Sequence, residues 1–306
     1  MKGDLQKLIR PAFLEKGVGI AIISPSYRMD PSSLEAALDA VRDWGYEPVA
    51  APCLNAGEGQ YAGDADVRAS DLIWALKERK SKAIICSRGG YGAIHLLERV
   101  PLDLFRANPK WLVGYSDITT LHAMSVVSGV ESVHGMMLSS VEEDTGNVSS
   151  DALLSLLSGF VPSYRLPAYK FNVTGSVKGR MVGGNFITMN ALLGTDYDFL
   201  GGGQDVILFV EEVEESMHAI DRLFNVLMLR KNFNRVKGIV FGQFTDCAAD
   251  LPYDSVEQML SGYLSASGIP VAFGFPAGHG HPNLPFIEGA AVELTVDASG
   301  SRIEFL

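Results

Sequence analysis

The run Val18-Gly-Ile-Ala-Ile-Ile-Ser24 carries no charge and no polar alternation, and this constrains the fold more than any other stretch. A strand with one wet face alternates apolar and polar residues. A run that is apolar throughout suits a strand covered on both faces, as in a parallel sheet between helices. The residues that follow agree. Asp30-Pro-Ser-Ser33 offers an N-cap with proline at the first helical position, and Leu34, Ala37, Leu38 and Val41 recur at helical spacing. Gly45 then supplies a stop. A second helix is expected over Asp66 to Glu78, with further buried strands at Ala83-Ile-Ile-Cys86 and Trp111-Leu-Val-Gly114. Alternation of this kind specifies an α/β domain of Rossmann or flavodoxin-like type, a parallel sheet with helices on both faces.

Between about Glu142 and Val173 acidic, Ser, Gly and Pro residues thicken, and only Ala152 to Leu157 suggests a short helix. The domain boundary is expected late in this stretch, giving domains 1–165 and 166–306. Beyond it strands are more frequent: Val206 to Val210, Val236 to Phe241, Pro270 to Phe273 and Val292 to Leu306. Helices fit Asn185 to Leu193, Ser216 to Leu229 and Ser255 to Leu264. The second domain is therefore expected to be smaller and mixed α/β. No internal repeat is evident.

Bulk properties exclude several classes. A net charge of -11 argues against a nucleic-acid partner, which needs clustered Lys and Arg. The start, MKGDLQKLIRPAFLEKG, mixes Asp4, Lys7, Arg10 and Glu15 among its apolar residues, unlike a signal peptide. No apolar run is long enough to span a bilayer, so no membrane partner is expected. Cys53, Cys86 and Cys247 are widely spaced and odd in number, which favours buried reduced thiols in a cytoplasmic protein.

Ligands of a parallel sheet gather outside the carboxyl ends of its strands. Three segments fall there: Ser24-Pro-Ser26, Ser87-Arg-Gly-Gly-Tyr-Gly92 and Gly114-Tyr-Ser-Asp117. The glycine turn lacks both the Walker and the G-x-G-x-x-G spacing, so no cofactor is expected from it. Gly89 and Gly90 either let backbone N–H groups approach an oxyanion or simply connect strand to helix. Ser116 is ambiguous too. A serine before a helix is most often a cap, and the hydrolase elbow G-x-S-x-G is half present, with Ile118 where its second glycine belongs. In the second domain Glu211 and Glu212 end a buried-type strand, and Ala272-Phe-Gly-Phe-Pro-Ala-Gly-His279 runs into a glycine turn ending in histidine. Ser…Glu…His is a chain order known among serine hydrolases. Taken singly, His279 reads as an ordinary loop histidine and the two glutamates as solvated charge. A metallohydrolase built on His279 and His281 is a rival, weakened by Pro276, Gly278, Gly280 and Pro282, which oppose a regular strand there. A cleft that binds a ligand without chemistry is another rival.

Together these pieces resemble the LD-carboxypeptidase family of serine peptidases, which includes the microcin C immunity peptidases. The resemblance covers almost the whole chain: Ile22-Ile-Ser-Pro-Ser26, Tyr61-Ala-Gly63, Arg68-Ala69, Asp71-Leu72, Arg88-Gly-Gly-Tyr-Gly-Ala93, Gly114-Tyr-Ser-Asp-Ile-Thr119, Gly183-Gly-Asn185, Leu192-Leu-Gly-Thr195, Phe209-Val-Glu-Glu212, Ile220-Asp-Arg222 and Gly278-His279. It implies an active site at the domain interface, with Ser116 as nucleophile, His279 as general base and then acid, and Glu211 orienting the imidazole. The backbone N–H groups of Gly90 and Asp117 would form the oxyanion hole, with no metal and no cofactor. It also implies a cytoplasmic homodimer releasing a C-terminal D-amino acid from a small peptide such as a murein tetrapeptide, or acting on a peptidyl-nucleotide antibiotic. The chain departs from the family pattern at His95, where arginine is common, at Glu212, often aspartate, and at Asp196, where proline is common.

Overall fold

The computed structural model describes residues 7–250 and 252–306. The reading of the mixed-charge start rests partly on residues 1–6, which lie outside the described residues. Two compact units divide the chain: Leu8–Val161 with the returning segment Leu284–Phe286, and Pro162–Asn283 with Ile287–Leu306.

The first unit contains five strands in chain order, β1 (Gly19–Ile23), β2 (Glu47–Ala50), β3 (Ser81–Cys86), β4 (Trp111–Gly114) and β5 (Ser132–His134). They run parallel in the order β5-β4-β3-β1-β2, and strand Phe286–Glu288 lies beside β5. This is the flavodoxin-like arrangement expected of doubly wound sheets. Ile20, Ile22, Ile84, Ile85 and Val113 are fully buried, as an unbroken apolar run requires. The helices are α1 (Pro31–Asp43), α2 (Ala65–Lys77), α3 (Asp103–Ala107), α4 (Thr119–Val127) and α5 (Val148–Leu157). Asp30 caps α1 by accepting from the Ser32 amide, Pro31 takes the first position, and Gly45 follows in the left-handed region at φ 85°. The short strand β2 escapes the apolar-run criterion because it is an edge strand carrying Glu47 and Pro48.

The second unit is mixed. Its strands are β6 (Ser163–Pro167), β7 (Gly175–Asn185), β8 (Val206–Val213), β9 (Val236–Thr245) and β10 (Val271–Ala272). After Phe286–Glu288, counted as β11, come β12 (Ala291–Asp297) and β13 (Gly300–Phe305). The sheet order is β10-β9-β8-β7-β12-β13-β6, parallel from β10 to β7 and antiparallel beyond. Helices α6 (Phe186–Leu192), α7 (Met217–Leu229) and α8 (Val256–Leu264) match the periodic segments. Phe186, Phe209, Phe224, Phe241 and Phe275 fill the core.

One expectation needs correction. The cysteines are unpaired, but only Cys86, the last residue of β3, is buried. Cys53 and Cys247 are half-exposed because each lies in a loop just past a strand. No helix of the described residues is long and apolar enough to cross a membrane.

Candidate active site

Ser116 follows β4 at a turn that only a few side chains tolerate. Its φ is 63°, in the left-handed region, and the N-cap positions of the turn it opens and of α4 are Tyr115 and Ile118, neither capping through its side chain. Of the two readings left open for Ser116, the helix cap is the one its position rules out: the residue opens a short 3-10 turn (Ser116–Ile118) that leads into α4. A non-glycine residue held there stores strain of roughly 1–3 kcal/mol, which the surroundings must hold. Gly114 explains how the turn fits. A Cβ at Gly114 would lie 2.8 Å from Ile118 Cγ2, so the chain folds back onto the place a side chain would need. Ile118 thus occupies space that the hydrolase elbow leaves to a second glycine.

His122, fully buried in α4, braces the strand end. Its Nε2–H donates to the Gly114 carbonyl at 2.9 Å, and Nδ1 then accepts from the Ser132 hydroxyl at 2.9 Å. Burial lowers its pKa to about 4, so it is neutral and holds this tautomer at pH 7.

The glycine turn after β3 packs directly against the serine. A Cβ on Gly89 would stand 3.2 Å from Ser116 Oγ, and one on Gly90, at φ 109°, would strike the Tyr27 ring at 2.3 Å. Only glycine allows the backbone this close. Among the described residues, the Gly90 amide donates to no protein acceptor. Asp117 is buried at 4% exposure, and its Oδ2 accepts from Ser26 Oγ at 2.5 Å and from the Ala93 amide at 2.8 Å. Burial raises its pKa, against these hydrogen bonds and the nearby Arg68 charge.

The second unit contributes Glu211 and His279. Strand β8 continues through both glutamates to Val213, so their side chains leave opposite faces. Both are buried, at 0% and 1% exposure, which overturns the reading of solvated charge. His279 Nδ1 lies 2.8 Å from Glu211 Oε2. Burial depresses the imidazole pKa, but the Glu211 charge and hydrogen bond outweigh it, leaving a net rise. Opposite Glu211 the register of β9 slips by one residue, with Gly242 and Gln243 standing against it. Such bulges re-aim chains at sites. Gln243 then accepts from the Gly280 amide through Oε1 at 2.9 Å, while its backbone N–H donates to Ala277 O at 3.0 Å. Asn283 accepts from the Gly278 amide at 3.1 Å. The histidine loop is thus stapled on both sides, and a Cβ at Gly278 would come within 2.9 Å of Glu211 Oε2.

Glu212 serves the other face. It accepts from Asn185 Nδ2 at 2.7 Å, from the Ile187 amide at 2.8 Å and from the Val213 amide at 2.9 Å. It thereby anchors the start of α6. Gln243, Asn283 and Ser26 were not singled out as site residues from sequence, because each acts through a backbone group or a carboxylate far away in the chain. His281 lies in the same loop as His279, and the described residues contain no group of three His, Cys, Asp or Glu side chains placed to hold a metal.

Ser116, Gly90 and Asp117 belong to the first unit, Glu211 and His279 to the second. Comparison with known proteins bears on both. Residues 20–135 match the LD-carboxypeptidase N-terminal domain and residues 178–294 the LD-carboxypeptidase C-terminal domain. A protein of Bacillus subtilis named as a probable murein peptide carboxypeptidase is 30% identical, over 99% of this chain and 97% of its own. The microcin C7 self-immunity protein MccF of Escherichia coli is 28% identical, over 79% of this chain and 78% of its own. The crystal structure of an MccF-like protein from Bacillus anthracis superposes with a TM-score of 0.87 at 26% identity, covering 97% of this chain and 99% of that one. Both domain matches, and a relative similar over nearly its full length, put the chain in the LD-carboxypeptidase family of peptidases.

Proposed function

We propose that the protein is a serine LD-carboxypeptidase that cuts the amide between an L-configured residue and a C-terminal D-amino acid. The observation that carries the reading is Ser116 itself, inside the turn rather than at its cap and held at φ 63° against Gly89. Ser116 Oγ attacks the scissile carbonyl while His279 takes its proton through Nε2, the nitrogen not engaged by Glu211. The Glu211 carboxylate, buried and hydrogen bonded to Nδ1, stabilises the imidazolium. The Gly90 and Asp117 amides receive the oxyanion. The tetrahedral adduct expels the D-amino acid, which leaves with the proton from His279. Water, deprotonated by the same histidine, then hydrolyses the acyl-serine.

Relatives named for murein peptides support a murein tetrapeptide as substrate. We extend the proposal to D-alanine as product and to a cytoplasmic homodimer in cell-wall peptide recycling. The likeness to MccF, which has been solved in complex with aspartyl sulfamoyl adenosine, supports a second reading, cleavage of a peptidyl- or aminoacyl-nucleotide. Incubation with matched L,D- and L,L-peptides and an aminoacyl-nucleotide analogue, with products identified by mass spectrometry, separates them. We expect a D-amino acid from the L,D-peptide, with and without EDTA. Turnover of L,L-peptides alone, or full loss in EDTA restored by zinc, would overturn the proposal.

A further inference from the structure

The peptide bond between Gly92 and Ala93 is held at both ends by buried charge. Its carbonyl accepts from Arg68 Nη1 at 2.7 Å, and its N–H donates to Asp117 Oδ2 at 2.8 Å. The same two side chains also hold the neighbouring loop after β1. Arg68 Nη1 donates to Pro25 O at 2.6 Å, and Asp117 Oδ2 accepts from the next residue, Ser26, at 2.5 Å. Arg68 further donates through Nε to Gly63 O at 3.1 Å. Its Nη2 lies 3.3 Å from His95 Nδ1. Arg68 is 2% exposed and Asp117 4%.

Burying an arginine and an aspartate is costly, and two charges spent on backbone groups call for a reason beyond packing. The gripped peptide ends the glycine turn that carries Gly90, and Asp117 is the residue directly after Ser116. A single carboxylate oxygen therefore links the strained nucleophile turn to the loop carrying the Gly90 amide. Gly90 and Gly92, at φ 109° and 122°, have soft backbones that would not hold that amide in place unaided.

We propose that Arg68 and Asp117 are positioning residues that clamp the Gly92–Ala93 peptide and so set the Gly90 amide against Ser116. The inference rests on the reading of Ser116 as nucleophile. A clamp of this kind acts on the transition state, because a displaced donor weakens the oxyanion contact while substrate binding elsewhere is untouched.

The test compares Ser116→Ala, Asp117→Asn, Arg68→Met, the Asp117→Asn/Arg68→Met double variant and Ser26→Ala in the full chain. The substrate is one L,D-tetrapeptide. The probes are a peptide boronate, which mimics the tetrahedral adduct, and a non-cleavable ground-state analogue. Loss of one oxyanion donor costs about 10²–10³ in kcat elsewhere, so displacement should cost roughly ten- to a hundredfold. We expect that fall in kcat for Asp117→Asn and Arg68→Met with KM within about threefold, the same factor lost in boronate affinity, and no loss for the ground-state analogue. The double variant should be little worse than either single one. Ser26→Ala keeps both charges and removes one arm, so it supplies a smaller effect of the same pattern if the charge variants fail to fold. Wild-type kcat in the folded variants, or parallel loss of both probes, overturns the clamp alone. Turnover surviving Ser116→Ala overturns the nucleophile, and the clamp with it.

Discussion

Replacing Glu211 with glutamine removes a charge and little volume, which makes it the sharpest probe of the dyad. The carboxylate oxygen lies 2.8 Å from His279 Nδ1, with the two side chains 0% and 17% exposed, so water screens the pair weakly. At an effective dielectric of about 20, unit charges about 3–4 Å apart interact by roughly 4–6 kcal/mol. That attraction exists only once His279 is protonated, as it is when Ser116 attacks. Its loss predicts a fall in kcat of about 10³–10⁴, since each decade corresponds to about 1.4 kcal/mol. The amide also offers a donor that favours the wrong tautomer, in the same direction. The assay is kcat and kcat/KM on one L,D-tetrapeptide, with folding checked by circular dichroism. A second readout is the acid limb of the kcat/KM profile. Glu211 raises the His279 pKa, and the base must be neutral, so Glu211→Gln should move that limb to lower pH. A loss below tenfold with an unmoved limb refutes the pairing as the catalytic one.

Glu212 should behave differently. Glu212→Ala strips acceptors from Asn185 and the Ile187 amide and should cost about 1–3 kcal/mol for each orphaned donor, read as a Tm several degrees lower; Glu212→Gln should lose tenfold or less in kcat. Gly89→Ala puts a methyl 3.2 Å from Ser116 Oγ, so kcat should fall at least tenfold while Tm changes little, within the roughly 1 kcal/mol range of Gly-to-Ala effects. Because the His279 pKa is raised in the folded state, its contribution to stability is full below the unfolded value of about 6.5 and is lost as pH rises through the folded value. Melting curves across neutral pH should show that loss, and Glu211→Gln should abolish it.

Much of the first unit was legible because its strands are apolar at every position and its helices carry their own signals, as at Asp30, Pro31 and Gly45. Strand β7 was not. Its first half alternates Ser176, Lys178 and Arg180 with small or apolar residues, and four glycines lie between 175 and 184, a texture that reads as loop. It becomes a strand because β8 and β12 pair with it on either side. In the site, residue types were legible and backbone states were not. A left-handed serine has the same letter as a capping serine, and only the backbone tells them apart: φ 63° and a place inside the turn rather than at its cap. The burial of Glu212 was hidden likewise, since its acceptors are filled by Asn185 and Ile187, more than twenty positions away.

The central claim is that chemistry passes through an acyl group on Ser116. Acid-quenching the protein during turnover of an L,D-tetrapeptide, followed by intact mass and peptide mapping, tests it directly. The account predicts a protein heavier by the tripeptide acyl group, the adduct on the peptide containing Ser116, and free D-alanine in solution. Turnover at an equal rate with no acylated protein at any quench time, and with activity retained in Ser116→Ala, would contradict it.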